Sequence, residues 1–393
     1  MRARSFLGLS VVVVVAGCSS DPPKVYGPVY GDDAGKDGSV VDGSVNDGAV
    51  VDGMTDATGD ASTCAATTAV VAGNSSSLAY AITVGNGSFT GAALAGSAAD
   101  RIGVVSGASG YTFVVRAQGD ALFSSSSTGT TFAAPAAIGP SAKDAPAVAL
   151  RGGKVELVYQ ATDFKYYRAT LTGTTWSPTA ETVGTGVGQS FGPRGPAVAA
   201  AGTDLVVLQG GDDTVLYDRT FDGAWQAPHG QTGTAVDKTL PPAMVAMTGG
   251  TSELLAVYLR VTDFKIMSVT RTSGTWAAPV LLDVNAYANE PLALAPMSGG
   301  RALLAYRGSD GKGYFSVYDP SKNPVWTLPA PIGASVESTP AVAPGVCGAD
   351  AVIAWAKTAG GVEVARFTAG AVAAPSPVSG TAGAKYVGLS TRP

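Results

Sequence analysis

The stretch Pro146–Gly184, PAVALRGGKVELVYQATDFKYYRATLTGTTWSPTAETVG, decides the fold. It reads as four short strands in succession: Pro146–Leu150, Val155–Gln160, Tyr166–Leu171 and Trp176–Val183. Gly152-Gly153 turns the chain after the first strand, and Asp163 to Lys165 turns it again after the second. β-Branched and aromatic residues fill the runs, and Gly, Thr, Asp and Pro fill the gaps, as strand and turn chemistry requires.

The same unit recurs along the chain. An aromatic opens the fourth strand and a proline follows it: Phe132 and Pro135, Trp176 and Pro178, Trp225 and Pro228, Trp276 and Pro279, Trp326 and Pro329. Phe89 holds that place earlier without the proline, and Val372 with Pro375 holds it later without the aromatic. Successive copies lie 43 to 51 residues apart. Pro146, Pro196, Pro242, Pro291 and Pro340 each lead a strand of small apolar residues, with Arg101–Val105 a weaker copy. Four strands repeating about every 47 residues predict an all-β, seven-bladed β-propeller with four antiparallel strands per blade, because one such unit cannot bury both faces of its sheet alone. Small residues suit the innermost strands, which converge on the axis. The aromatic of each outer strand, Trp176 among them, is expected to pack between blades.

The ends are permuted. The N-terminal part supplies three strands of the first blade, Thr68–Ala72, Leu78–Thr83 and Phe89–Leu94, and Ala384–Leu389 at the C-terminus supplies its missing inner strand. Pairing the two ends in one sheet closes the ring and removes its exposed edges. Six blades is the alternative, should the first blade be misread. Cys64 and Cys347 precede the second strands of the first and last blades, which are neighbours in a closed ring. A disulfide there would staple the closure in an oxidising compartment, and two free buried thiols are the other reading.

Composition agrees with this architecture. Of 393 residues, 46% are hydrophobic, only 14% are charged and 52 are glycine, which favours strands and turns over helices. Residues 1–17 differ from the rest. Arg2 and Arg4 precede the apolar run Phe6–Ala16, too short to span a bilayer, and Val15-Ala16-Gly17-Cys18 follows. This segment resembles the lipobox of bacterial lipoproteins, which implies cleavage before Cys18, acylation of its thiol and, with Ser19 next, sorting to the outer membrane, facing the periplasm or the exterior. Its alternative is an ordinary signal peptide with an incidental cysteine. Residues 18–61 follow as an expected disordered tether, in which Asp-Gly recurs every five residues from Asp37 to Asp52. Nine aspartates against two lysines give Asp21–Asp60 a charge of −7, so with Arg2 and Arg4 also set aside the total of −5 leaves residues 61–393 neutral. A period of five does not match an EF-type loop, which needs acidic ligands at alternate positions and a terminal Glu, although calcium binding by the tether remains an alternative. A neutral propeller, residues 62–393, on an acidic tether argues against nucleic acid as a partner.

In a propeller the turns between second and third strands share one face with the blade-to-blade connections, and Cys64 belongs to the other face. The first of these carries the longer connections and is the expected ligand face. Candidate ligand-binding residues there are Tyr159, Gln160, Asp163 and Lys165 in the third blade and Tyr258, Arg260, Asp263 and Lys265 in the fifth, where Thr-Asp-Phe-Lys recurs unchanged. Tyr306, Arg307 and Trp355 continue the series. Aromatic platforms beside Arg, Asp and Gln suit a sugar, whose apolar face stacks while its hydroxyls take charge-assisted hydrogen bonds. The bland alternative makes the tyrosines core and the charged residues soluble turns. Arg101, Asp144, Arg194, Glu290 and Glu337 are candidates for the rim of the central channel, with a solvated rim as the alternative.

Gly129-Thr130-Thr131-Phe132, Gly173-Thr174-Thr175-Trp176 and Gly274-Thr275-Trp276 resemble the blades of sialidase-like propellers and of seven-bladed fucose-binding lectins. The Asp of a sialidase Asp box is absent, with Leu171 standing where the third blade would need it. A sialidase would imply three arginines on a carboxylate, a Tyr–Glu nucleophile pair and an Asp acid. Arg101 and Arg194 match two of those arginines in place, and Pro193-Arg194-Gly195-Pro196 only loosely echoes the family's Phe-Arg-Ile-Pro. The single His229 supplies neither a histidine metal cage nor a triad, and there is no phosphate-cradling or dinucleotide motif. The reading is therefore a monomeric lipoprotein held to the membrane only through its anchor, displaying a carbohydrate-binding propeller that uses neither cofactor nor metal. A sialidase-like glycosidase and a protein-interaction scaffold for another surface protein are the alternatives.

Overall fold

A computed structural model describes residues 64–177, 181–183, 195–231, 233–283, 286 and 288–393. Cys18, the Asp-Gly segment and Arg194 lie outside the described residues. Seven separate antiparallel sheets follow one another, each built from consecutive strands except the first. That first sheet takes Thr67–Gly73, Leu78–Val84 and Ala92–Leu94 from one end of the chain and Tyr386–Arg392 from the other. Tyr386–Arg392 pairs along its whole length with Thr67–Gly73, from Thr67 opposite Arg392 to Gly73 opposite Tyr386. The chain is a seven-bladed propeller with a permuted closing blade.

Each remaining blade runs outward from the axis. The inner strands are Gly103–Gly107, Ala147–Arg151, Ala197–Ala201, Ala243–Ala246, Ala293–Met297 and Ala341–Pro344 in blades 2 to 7. The second strands are Gly110–Arg116, Lys154–Gln160, Asp204–Gly210, Leu254–Leu259, Arg301–Arg307 and Ala351–Ala356. The expected single outer strand is instead broken in blades 2, 3, 5 and 7, as in Thr275–Trp276 followed by Val280–Leu281. Pro135, Pro279 and Pro375 sit in three of these breaks, where a residue without an N–H is tolerated because the strand is an edge. Phe89 also departs from expectation. It precedes the outer strand of blade 1 and bridges to Val378 in blade 7.

The core lies between the blades, in seven apolar clusters that each span one interface. The cluster of Val70, Ala81, Val352, Val364 and Leu389 joins blade 7 to blade 1, so the last interface is packed like the others. Outer aromatics reach back into the preceding blade, as expected. Phe132 meets Tyr80 edge-on at 5.2 Å, and the indole N–H groups of Trp176 and Trp326 donate to Ser124 and Ser268 at 2.8 and 2.9 Å. Small residues on the axis are a steric requirement at Gly388, where a Cβ would lie 2.6 Å from Val104 Cγ2. Cys64 and Cys347 form a disulfide between blades 1 and 7, with Cα atoms 5.6 Å apart. Among the described residues no helix is long and apolar enough to cross a membrane.

Candidate functional site

We call upper the face that carries the turns from second to third strand and the blade-to-blade connections. Those turns are built alike. In blade 3, Phe164 N–H donates to Ala161 O and Ala161 N–H to Lys165 O, and the same pair of bonds recurs in blades 2, 4, 6 and 7. Asp163 closes its turn by accepting Lys165 N–H at 3.0 Å and the hydroxyl of Tyr167 at 2.8 Å. Asp213 does the same with Val215 and Tyr217, and Asp310 with Lys312 and Tyr314. In blade 5, Asp263 is held by both arms of Arg260, at 2.9 and 2.6 Å, which brings its carboxyl down to about 2. The repeated aspartates thus have a local task in the turns.

The expected aromatic platform is not at the surface. Tyr159, Tyr258, Tyr306 and Trp355 are all buried, 1 to 2% exposed, in the clusters between their own blade and the preceding one. The reason is geometric: a second strand is central in its blade, so both of its faces are covered by neighbouring sheets. Tyr159 stacks on Tyr167 and Tyr306 on Tyr314 within their sheets, and burial drives the phenols of both Tyr159 and Tyr306 far up. Gln160 is fully buried as well. Asp163, Lys165, Arg260, Asp263 and Arg307 retain exposure, while Lys265 is tucked against Asp263 with Nζ 3.9 Å away.

Other aromatics take the exposed place. Phe164 and Phe264 are 48% and 46% exposed at the tips of the two Thr-Asp-Phe-Lys turns. Both occupy the left-handed backbone region, with φ of 63° and 56°. The corresponding position is Asp120 in blade 2, Thr214 in blade 4, Gly311 in blade 6 and Gly360 in blade 7, and this conformation costs an L-residue about 1–2 kcal/mol. Neither ring is buried in a way that offsets the cost. The ammonium of Lys143 lies 5.3 Å from the centre of the Phe164 ring. Phe264 instead walls a groove of about 420 Å³ with Thr239, Leu240, Asp263, Asn289 and Ser309.

At the centre of the upper face the inner strands begin around a second cavity, also about 420 Å³. Arg101, Asp144, Glu290 and Glu337 all line it, so these candidates for the channel rim are brought together. Asp100, Arg116, Lys385 and Tyr386 join them. Below this basin the axial channel narrows to about 190 Å³ between side chains such as Val104, Val148, Val198 and Met244.

Much of the charge in the basin is internally matched. Arg116 donates to Asp100 at 2.6 Å and to Asp120 at 2.7 Å, while Arg307 donates to Glu290 at 3.0 Å. Burial raises the Glu290 carboxyl, and Arg307 and the Thr339 N–H oppose that rise. Burial also pushes Asp100 up to about 6 against the pull of Arg116, and its Oδ1 is buried without a hydrogen-bond partner. The Tyr386 phenol is raised by burial and by the carboxylates of Asp100 and Glu290, so it keeps its proton and can donate. Arg101 and Glu337 make no side-chain hydrogen bond or ion pair with a described residue. Burial pulls the Arg101 guanidinium down, the nearby carboxylates of Asp100 and Asp144 working against it. The basin therefore offers a cation, a carboxylate and a phenol to a visitor. The second arginine that a hydrolase reading needs, Arg194, lies outside the described residues, and Arg116 and Arg307 are both tied to carboxylates.

Sequence reasoning missed Asp100, Arg116, Tyr386 and the exposed phenylalanines. For the phenylalanines a signal existed: Asp263-Phe264-Lys265 stands where blade 6 has Asp310-Gly311-Lys312. It also missed a buried polar cluster at the end of blade 3 opposite the upper face. There Glu156, fully buried, accepts from Arg151, Arg168 and Thr170 beside a cavity of about 550 Å³ that Trp176 also lines. Among the described residues no group of His, Cys, Asp and Glu could hold a metal ion.

No protein-family model matches the chain, and no curated protein matches it in sequence. Its structure is similar to that of the BP39L lectin from Burkholderia pseudomallei, with a TM-score of 0.68 and 14% identity over 81% of this chain and 96% of that one. It is also similar to AofleA from Arthrobotrys oligospora, with a TM-score of 0.53 and 12% identity over 74% of this chain and 88% of that one. The fucose-specific lectin from Aleuria aurantia overlays with a TM-score of 0.48, at 16% identity over 72% and 97% of the two chains. At these identities the likeness to the BP39L lectin and AofleA shows the fold alone, a β-propeller.

Proposed function

We propose that this protein is a lectin-like, glycan-binding propeller, displayed on the outer membrane by lipid on Cys18, and that the axial basin of its upper face receives the sugar. The observation that carries the reading is that Arg101 and Glu337, neither bonded through its side chain to a described residue, line one open basin together with Tyr386 and Asp100. A sugar hydroxyl both donates and accepts, so a carboxylate and a guanidinium within one cavity can each take a hydroxyl of a vicinal pair. The fold shared with the BP39L lectin supports the same reading at the level of architecture. So does the position of Cys64, where the described chain begins: it lies on the lower face, leaving the basin on the opposite side.

The test is a glycan array probed with the purified protein from residue 19 onward, beside its Arg101→Ala variant. Retention of a defined set of glycans is expected, with at least a ten-fold loss in the variant while its melting temperature holds. If the wild type retains no glycan, the reading fails. A parallel screen with fluorogenic glycosides separates binding from hydrolysis, and turnover that disappears with Glu290→Gln would convert the proposal into a glycosidase.

A further inference from the structure

The groove beside Phe264 shares Thr239 and Leu240 with the axial basin as a common wall, so the two cavities are neighbours on one face. We propose that they form one extended site for an oligosaccharide, in which Phe264 is the stacking platform for a neutral pyranose next to the unit held in the basin. The inference rests on the glycan-binding reading and deepens it by naming the ligand's length and chemistry.

Three observations carry it. First, the Phe264 ring is 46% exposed on a left-handed backbone where blades 6 and 7 use glycine and blades 2 and 4 use the small polar Asp120 and Thr214, so the fold keeps a large aromatic where its own turn does not call for one. Second, the polar groups across the groove are uncommitted. The Asn289 amide and the Ser309 hydroxyl, both exposed, make no hydrogen bond with a described residue. An amide offers donors and an acceptor, which suits hydroxyls more than ions. Third, Asp263, the ionisable side chain that lines the groove, is already matched by Arg260, which holds it with both arms. An apolar ring face with neutral polar edges selects an uncharged sugar, through the C–H face of its ring. Blade 3 provides an internal contrast, because there a lysine ammonium lies near the equivalent ring.

The test compares wild type, Phe264→Gly, Phe264→Tyr and Arg101→Ala on neutral mono-, di- and tetrasaccharide probes with glucose, galactose, mannose, fucose and N-acetylhexosamine ends. Wild type should hold tetrasaccharides at least ten-fold more tightly than the matching monosaccharides. Phe264→Gly should lose that gain while melting at the same or a higher temperature, because glycine relieves the left-handed residue, and Phe264→Tyr should keep the gain. Equal affinity for long and short probes, or an undiminished gain in Phe264→Gly, overturns the extended site but leaves glycan binding in place if Arg101→Ala still abolishes retention. Loss of the gain together with a lower melting temperature also overturns it, since the ring would then be structural. Failure of the wild type to bind any probe overturns both readings.

Discussion

Replacing Glu156 by Gln should be among the most damaging single changes in this molecule, although it removes no atom from the core. The carboxylate is 1% exposed and accepts from Arg151 at 3.1 and 2.8 Å, from Arg168 at 2.9 and 3.1 Å, and from Thr170 at 2.8 Å. Burial by itself would raise this carboxyl, but the bonds from Arg168, Thr170 and Arg151 outweigh it and hold the group below the ordinary glutamate range. An amide keeps the shape and leaves two arginines without their shared anion. Breaking one partner of a buried ionic cluster costs about 3–5 kcal/mol, because the remaining charge stays buried. For a domain of about 330 residues, an unfolding entropy of about 2.1 cal/mol/K per residue converts each kcal/mol into about 1.4 °C, so the melting temperature should fall by about 4–7 °C. Scanning calorimetry of both proteins, at neutral pH and in acid, is the assay. The sign with pH is fixed: a depressed carboxylate contributes fully above its unfolded pKa and loses its contribution as pH falls through the lower folded value. The gap between wild type and Glu156→Gln should therefore be constant near neutrality and close in acid. A gap under about 1 °C at neutral pH, or one that persists unchanged in acid, would refute the reasoning. Replacing both Glu156 and Arg168 by Met should cost less than Glu156→Gln, since a filled apolar site leaves no stranded Glu156–Arg168 charge.

Two further expectations concern closure and the basin. The Cys64–Cys347 bond spans 283 residues, for which loop entropy sets a ceiling near 6 kcal/mol and ordinary experience suggests about 2–4 kcal/mol. Cys64→Ser with Cys347→Ser should lower the melting temperature and speed amide exchange first in Thr67–Gly73 and Tyr386–Arg392. Unchanged exchange there would mean that the strand ladder closes the ring unaided. Asp100, raised by burial from its ordinary 3.8 to about 6, should make the protein more stable as pH falls from neutrality through about 6. At about 1.4 kcal/mol per pH unit the ceiling is ~3 kcal/mol. Asp100→Asn should flatten the wild-type slope in that window, and an identical slope in the variant would place the titration elsewhere.

The architecture was legible because a propeller repeats. A small apolar strand, a hydrophobic strand and an outer aromatic recur at nearly constant spacing, and even the permuted closure and the cysteine pair follow from counting. The site was less legible, because the same repetition conceals which side of a strand faces solvent. Tyr159 and Tyr306 look like platforms in the sequence, yet a central strand between two packed sheets has no free face. Phe264 looks like a turn residue out of place, and it is the exposed ring. Asp100 and Tyr386 lie at opposite ends of the chain, so only ring closure makes them neighbours in the basin. Arg101 and Glu337, which the sequence did single out, meet there for a simpler reason: both stand just ahead of inner strands.

The disulfide has a mechanical side. Cys64 is joined to Cys347 immediately before the first strand, Thr67–Gly73, begins. A pull arriving along the chain from the N-terminal side of Cys64 meets this crosslink before it reaches Thr67–Gly73, and the load divides between blade 1 and blade 7. Without the bond, the same pull would act on Thr67–Gly73 alone and peel it from Tyr386–Arg392, opening the ring at the one blade assembled from two distant segments. With the bond, force runs into two blades packed against each other through the Val70 and Leu389 cluster. The crosslink thus grips the ring at the blade that its two distant segments close.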